Sequence, residues 1–431
     1  MRRIRLALPL LLALPACAPE GSTEDDGPLI IIGDDAAAPA GDLAVIEPID
    51  DAGLPEWDAA LVPDLGPAPM PGPGPDVEML TFEDVAITAG YSEMITLTLP
   101  DDVQGVTIVG IGEATVFYSV VHFEGPDGRI LVSETPPGVT LTPLDSQLSP
   151  FPGAFRSPNR SAVAATGVAT LLAPNNPGVQ LIGGEWQMQV AGLGSIGRTF
   201  SALDIVVYIK RGAAPPTRGV LDVHCHFTGS RGWTAATAPD DRDFQAALAR
   251  MAAFYEGIGI RLGQVTYTDI PAEFIAVDSG PQGPGAQGET SSLHRMFQLS
   301  AHDTGVSLFF VDRIGEPMFG GAIGGIAGGT PGPMLEPGTV RSGVAVATGL
   351  DPDPAAIGHI MGHETGHFLG LYHTQEFFGG ITDQIPDTPT GFANSDNLMF
   401  PTVTSAPASL SPGQGAVLHL NAAIVTEEED R

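Results

Sequence analysis

Lysine is almost missing from this chain. Lys210 is the only one, and 18 basic residues face 51 acidic ones, for a net charge of −33. That imbalance excludes nucleic acid and anionic membrane surfaces as partners, since both repel a dense anion. Cysteine is scarce too, with two in 431 residues. If Cys17 is consumed at the N-terminus, Cys225 has no intrachain partner and no disulfide can brace the fold. No apolar run is long enough to form a stable transmembrane helix. What is present is 43% hydrophobic residues, enough to build a core in each of two or three domains.

Residues 1–17 carry a basic start, a short apolar run and then Leu14-Pro15-Ala16-Cys17. This reads as a signal peptide whose last residues resemble a bacterial lipobox, with Cys17 as the lipidated residue. An ordinary cleaved signal is the other reading. A lipid on Cys17, followed by Ala18, implies an exported protein on the bacterial outer membrane or cell surface, reaching the membrane only through its anchor. Without it the protein is secreted. Residues 18–75 are rich in Pro, Gly, Ala and acidic residues and contain no Lys or Arg, a composition that cannot bury a core. They are expected to form a disordered, self-repelling tether.

From 76 to 212 the chain changes. Runs such as Val77–Thr88, Val106–Ile111, Ala162–Leu172 and Phe200–Lys210 are rich in β-formers and are separated by turn residues such as Pro126-Asp127-Gly128. No helix is expected there, and an all-β sandwich fits. Residues 213–219 read as a linker, and a second, α+β domain spans 219–431.

In the strand Val220–Phe227, Leu221, Val223, Cys225 and Phe227 share one face, and Asp222, His224 and His226 share the other. Cys225 is expected in the core, with a redox or latency switch as the rival reading. His224 and His226 are expected on a solvated face, with a metal-binding pair as the alternative. A helix is expected over Pro239–Gly257, a strand over Arg261–Thr268, a helix over Ser291–Ser300 and a buried strand over Val306–Val311. The glycine-rich Gly320–Gly329 is read as a sheet edge where a peptide could add as a strand, or else as a flexible loop.

The chemistry lies in His363-Glu364-x-x-His367-x-x-Gly370-x-x-His373. Asp351-Pro352-Asp353-Pro354 supplies an N-cap and early prolines, so a helix starts there and His363 and His367, four apart, share one of its faces. Gly370 can take a positive φ, end the helix and return His373 as a third nitrogen ligand. Three protein ligands with one open position is the pattern of a catalytic Zn²⁺, and Glu364 stands where a carboxylate can take a proton from water. His359, one turn before His363, is too far along the helix axis to join the same ion.

These residues resemble the metzincin clan of zinc endopeptidases. Asp396-Asn397-Leu398-Met399-Phe400-Pro401 resembles its Met-turn, with Met399 supporting the site from below. His373-Thr374, Gly379-Gly380, Asp383 and Asp387-Thr388-Pro389 look most like the pappalysin family, although its cysteine pairs are absent and Phe400 stands where many metzincins have tyrosine. The resemblance implies a zinc metalloendopeptidase acting on protein or peptide substrates. It also implies a Ca²⁺ site at Asp383, Asp387 and Thr388, residues that read equally well as turn formers. The rival function is a catalytically inactive surface-binding lipoprotein on the same scaffold.

Overall fold

The computed structural model describes residues 30–31, 44–45 and 73–427, less 144, 146–148, 162–164, 195–196, 281–290, 317–320, 352, 377–380, 389–393 and 403–407. Cys17, Gly320, Gly379, Gly380, Pro389 and the last residues of the acidic tail therefore lie outside it. So does most of the expected tether, within which Ile30–Ile31 and Ala44–Val45 are described as two short paired strands, the first also paired to Gly321–Ile323. The molecule is mostly β-sheet with few helices. No helix among the described residues is long and apolar enough to cross a membrane.

The N-terminal half forms an antiparallel ten-stranded sheet. At its centre, Val103–Gly112 lies between Val168–Ala173 and Ser201–Arg211. Val168–Ala173 and the stretch Val106–Ile111 read as continuous apolar runs because both of their faces are buried, whereas Ser201–Arg211 is covered on both faces only over Val207–Lys210. Ile108, Leu171, Val207 and Ile209 point into the core of this half, together with Trp186 and Phe123. The alternate residues point the other way. Val109, Leu172 and Tyr208 belong to the core of the C-terminal half. The same outward rows carry Thr107, which accepts from Ala422 N–H at 3.4 Å, and Thr170, which donates to Pro331 O at 2.6 Å. The expected strands are present among the described residues, though the one expected over 162–172 is seen from Ala165 on and is divided at Gly167, and Pro152–Phe155 forms one short helical turn where no helix was expected.

The C-terminal half is built on a six-stranded sheet. Ile260–Asp269, Gly219–Phe227, Val306–Val311 and Val344–Ala347 run parallel, Gly325–Ala327 is antiparallel at the far edge, and Val425–Thr426 pairs back on Gly219 and Val220. Every residue of Gly219–Phe227 is buried. Val223, Cys225 and Phe227 share a core with residues of the helices Arg242–Glu256 and Pro354–Phe368. Cys225 is thus a core residue, and burial pushes its thiol up out of the reactive range.

The opposite face corrects the expectation for His224 and His226. Both are 2% exposed, and neither lies on a solvated face. The strand pattern had assigned the two faces properly. The second face is closed by later chain that the periodicity of one strand cannot report: His302 stacks on His224 at 3.7 Å, and Phe309 on His226 at 4.4 Å.

Candidate metal centre

The helix Pro354–Phe368 starts where the sequence indicates. Asp353 accepts from Ala355 N–H at 2.9 Å, and Pro354 occupies the first turn, where its missing N–H costs nothing. The helix ends in a Schellman motif. Gly370 N–H reaches His367 O at 2.8 Å, and Leu371 N–H reaches Gly366 O at 2.9 Å. Gly370 has φ +110°, and a side chain there would also strike Leu172 of the N-terminal sheet. The turn therefore needs glycine twice over, for its backbone and for its packing.

This geometry brings His363, His367 and His373 together. They are the one group of three such ligating side chains found among the described residues, and all three are buried. Their Nε2 atoms converge, at 3.1 Å between His363 and His367 and 3.2 Å between His367 and His373. Each Nδ1 faces outward to an oxygen: Leu398 O for His363 and Leu371 O for His367, both at 2.7 Å, and a Glu376 carboxylate oxygen for His373 at 3.0 Å. An Nδ1–H donated outward leaves the Nε2 lone pair pointing inward, which is the tautomer a metal ligand needs. Burial, reinforced by the neighbouring imidazoles, holds His363 and His367 well below the usual imidazole value, so both stay neutral. Tetrahedral bonds of about 2.0–2.1 Å would set ligand nitrogens roughly 3.3 Å apart. The donor set therefore fits a small divalent ion that favours nitrogen, and the cluster could bind a metal.

Glu364 lies beside the cluster and is fully buried. The strand Gly325–Ala327 packs over it: a Cβ on Gly325 would sit 2.6 Å from Glu364 Cγ. The described glycine-rich stretch thus forms two short strands: Gly321–Ile323 lies between Arg313–Glu316 and Ile30–Ile31 in a separate sheet, and only Gly325–Ala327 is an edge strand. Gly325–Ala327 is buried, however, so it closes over the carboxylate and does not present an open edge in this structure. His359 stays out of the cluster and packs edge-on against Phe254.

The turn at Asn397–Phe400 does two things. It delivers Leu398 O to His363, and it sets Met399 beneath the histidine helix, where a Cβ on Gly366 would meet the Met399 sulfur at 2.6 Å. Asn397 fixes the turn by accepting from Met399 N–H at 2.8 Å.

Asp383 and Asp387 are each engaged locally. Asp383 Oδ1 accepts from Thr388 Oγ1 and Ile385 N–H, and Asp387 accepts from Ser411 Oγ and Gly413 N–H. Only Asp383 Oδ2 is buried without a hydrogen-bond partner. A calcium ion takes about six to eight oxygens. Among the described residues, Asp383 and Asp387 are held in turns and at the start of the helix Pro412–Leu418.

Sequence reasoning missed Glu376, the carbonyls of Leu371 and Leu398, and the closeness of Gly325 to Glu364. Glu376 carries a weak local signal, an acid three residues after a ligand. The others depend on backbone geometry and leave no mark in residue type.

No protein-family model matches the chain, and no curated protein does. Among solved structures, metalloproteinase-II from Bacteroides fragilis shares 14% identity with a TM-score of 0.29, over 50% of this chain and 61% of that one. A structure of the infectious bursal disease virus Gx strain has 11% identity and a TM-score of 0.18, over 33% and 34%. A family two carbohydrate esterase from Cellvibrio japonicus has 7% identity and a TM-score of 0.15, over 44% and 52%. The chain thus has a weak structural likeness to a metalloproteinase, of which it spans less than two thirds. At these TM-scores no fold is assigned by likeness.

Proposed function

We propose that the protein is a zinc-dependent endopeptidase of metzincin type, closest to the pappalysins, with an N-terminal β-sandwich and an α+β catalytic domain. The observation that carries this reading is the convergence of three buried Nε2 atoms, each fixed by an outward Nδ1 contact, next to a buried glutamate. His363, His367 and His373 would hold Zn²⁺. When bound, zinc supplies Lewis acidity toward a peptide carbonyl and makes water acidic enough to attack near neutral pH.

The chain's own residues do the rest. Glu364 takes the proton of the attacking water and passes it to the leaving amine. Gly325, having no side chain, lets the strand lie against Glu364 and shield it from bulk water. Leu398 O, Leu371 O and Glu376 keep the three imidazoles from rotating. Met399 fills the space beneath them. Substrates are proteins or peptides. Because the centre is buried, they gain access only once the chain covering it moves or is trimmed.

Glu364→Gln keeps the shape and removes the base. Zinc stays bound, while peptide hydrolysis falls by the roughly 10²–10⁴-fold typical of a positioned acid–base group. The comparison uses zinc-loaded parent and variant on denatured protein substrates, before and after removal of the N-terminal segment. Equal rates in the two would refute the mechanism. A zinc-loaded parent that cleaves nothing in either form points to a surface-binding lipoprotein.

The protein is further proposed to be exported and anchored through lipidated Cys17. Expressed with its own leader, it should partition into detergent, and Cys17→Ser should release it. Equal partitioning of the two forms counts against the anchor.

A further inference from the structure

The third histidine differs from the other two in what holds it. His363 and His367 donate to backbone carbonyls, whereas His373 depends on the carboxylate of Glu376. The Glu376 side chain is only 6% exposed. Taking it out of water is costly without a counter-charge. The counter-charge comes from the other half of the molecule: Arg160 Nη1 lies 3.4 Å from Glu376 Oε1, across 216 residues of sequence.

Arg160 is built into that position. Its side chain is 3% exposed, and its Nη2 donates to Thr382 O at 2.8 Å. The guanidinium lies over two rings, Phe155 from the N-terminal half at 4.5 Å and Tyr372 from the C-terminal half at 4.4 Å. Its backbone is pinned as well. Arg160 N–H donates to Asn175 Oδ1 at 3.1 Å, and its carbonyl accepts from Asn175 Nδ2 at 2.6 Å and from the Tyr372 hydroxyl at 3.3 Å. Close by, Gln384 Nε2 donates to Ser157 O at 3.1 Å. The loop after the third histidine thus rests on the N-terminal half.

We propose that Arg160 is a positioning residue for the metal centre: it fixes the Glu376 carboxylate, which fixes the His373 ring, so the N-terminal half completes the ligand set. This rests on the metal-site reading above. Without Arg160 the carboxylate would turn toward water and release His373 Nδ1–H, leaving the third ring free to rotate. A lysine would restore charge but not the planar stack between two rings.

The test uses the full chain as parent, Arg160→Gln, Arg160→Lys, Glu376→Gln and the Arg160→Gln/Glu376→Gln double variant. Zn²⁺ affinity is read by competition with a chromogenic chelator, ligand geometry by the visible spectrum of the Co²⁺ form, and folding by circular dichroism of the metal-free proteins. Outer-shell partners of a ligand typically contribute about 10–100-fold in metal affinity. Arg160→Gln should weaken zinc at least about tenfold and change the cobalt bands, and Arg160→Lys should recover part of both. In the Glu376→Gln background, Arg160→Gln should add nothing. If Arg160→Gln does not fold, Glu376→Gln decides, because it leaves the stacked guanidinium in place. Parent-like affinity and cobalt bands in Glu376→Gln overturn the proposal, as does additivity in the double variant. A parent that binds zinc while folded Arg160→Gln binds it equally well overturns this role alone. A parent that binds no zinc overturns the metal-site reading and this inference together.

Discussion

The molecule gathers two groups of three histidines, and the contrast between them shows what makes a metal site. In His363, His367 and His373, each Nδ1 has an oxygen outside and each Nε2 points at a common centre. In His224, His226 and His302, one pair of rings lies face to face and His226 is tilted against His302 instead. His224 and His302 are stacked with 6° between planes, and both His224 nitrogens are taken, by Thr266 and Thr304. Neither ring nitrogen of His226 has a hydrogen-bond partner among the described residues. Histidine count is alike in the two groups, and five of the six rings are buried, His302 being half-buried. Convergent lone pairs, fixed from behind, are found in only one.

Metal binding should break the symmetry most. His363→Ala, His367→Ala or His373→Ala removes a ligand and should weaken zinc by more than the roughly 10–100-fold of an outer-shell change. His224→Ala or His226→Ala should leave the stoichiometry at one, by metal analysis of the dialysed protein. Loss of zinc in the second set would erase the distinction.

Acid should affect the second group through stability. Burial, and then the nearby His302, hold His226 down to about 4; the same two causes hold His224 to about 3, against about 6.5 in the unfolded chain. A depressed histidine favours the folded state above the unfolded value. That contribution fades as pH falls from about 6.5 toward 4, on the order of a few kcal/mol for the pair. The melting temperature should therefore drop over that window, and His226→Phe should flatten the drop. An unchanged slope in His226→Phe would assign the acid sensitivity elsewhere. The smallest effect concerns calcium. With Asp383 Oδ2 the one carboxylate oxygen of Asp383 and Asp387 without a hydrogen-bond partner among the described residues, a calcium-selective chelator should move the melting temperature by less than about 2 °C, and a larger fall would place a calcium site there.

The legible part of the site was the part encoded by spacing. A helix repeat places His363 beside His367, and a glycine that tolerates positive φ returns His373. Cys225 was legible from strand alternation. What spacing could not reveal was contact between distant segments. Alternation put His224 and His226 on one face correctly, but nothing in that strand says that His302 and Phe309 cover it. The continuous apolar runs around Val106–Ile111 and Val168–Ala173 did carry a clue. Strands apolar on both faces need a second partner, and here that partner is the C-terminal half. Arg160 left no signal at all, because its role is defined only by where Glu376 and Tyr372 arrive.

Lys210 lies in the same seam between the halves. It is 1% exposed, its ammonium donates to Asn421 O and Ile424 O, and burial lowers it to about 8. As the only lysine of the chain, it gives the molecule a single built-in reporter. An amine-directed reagent or a lysine-specific protease finds no exposed lysine while the halves stay docked. The rate at which Lys210 becomes modified or cut is then a clock for the opening of that seam, readable on the unlabelled parent protein.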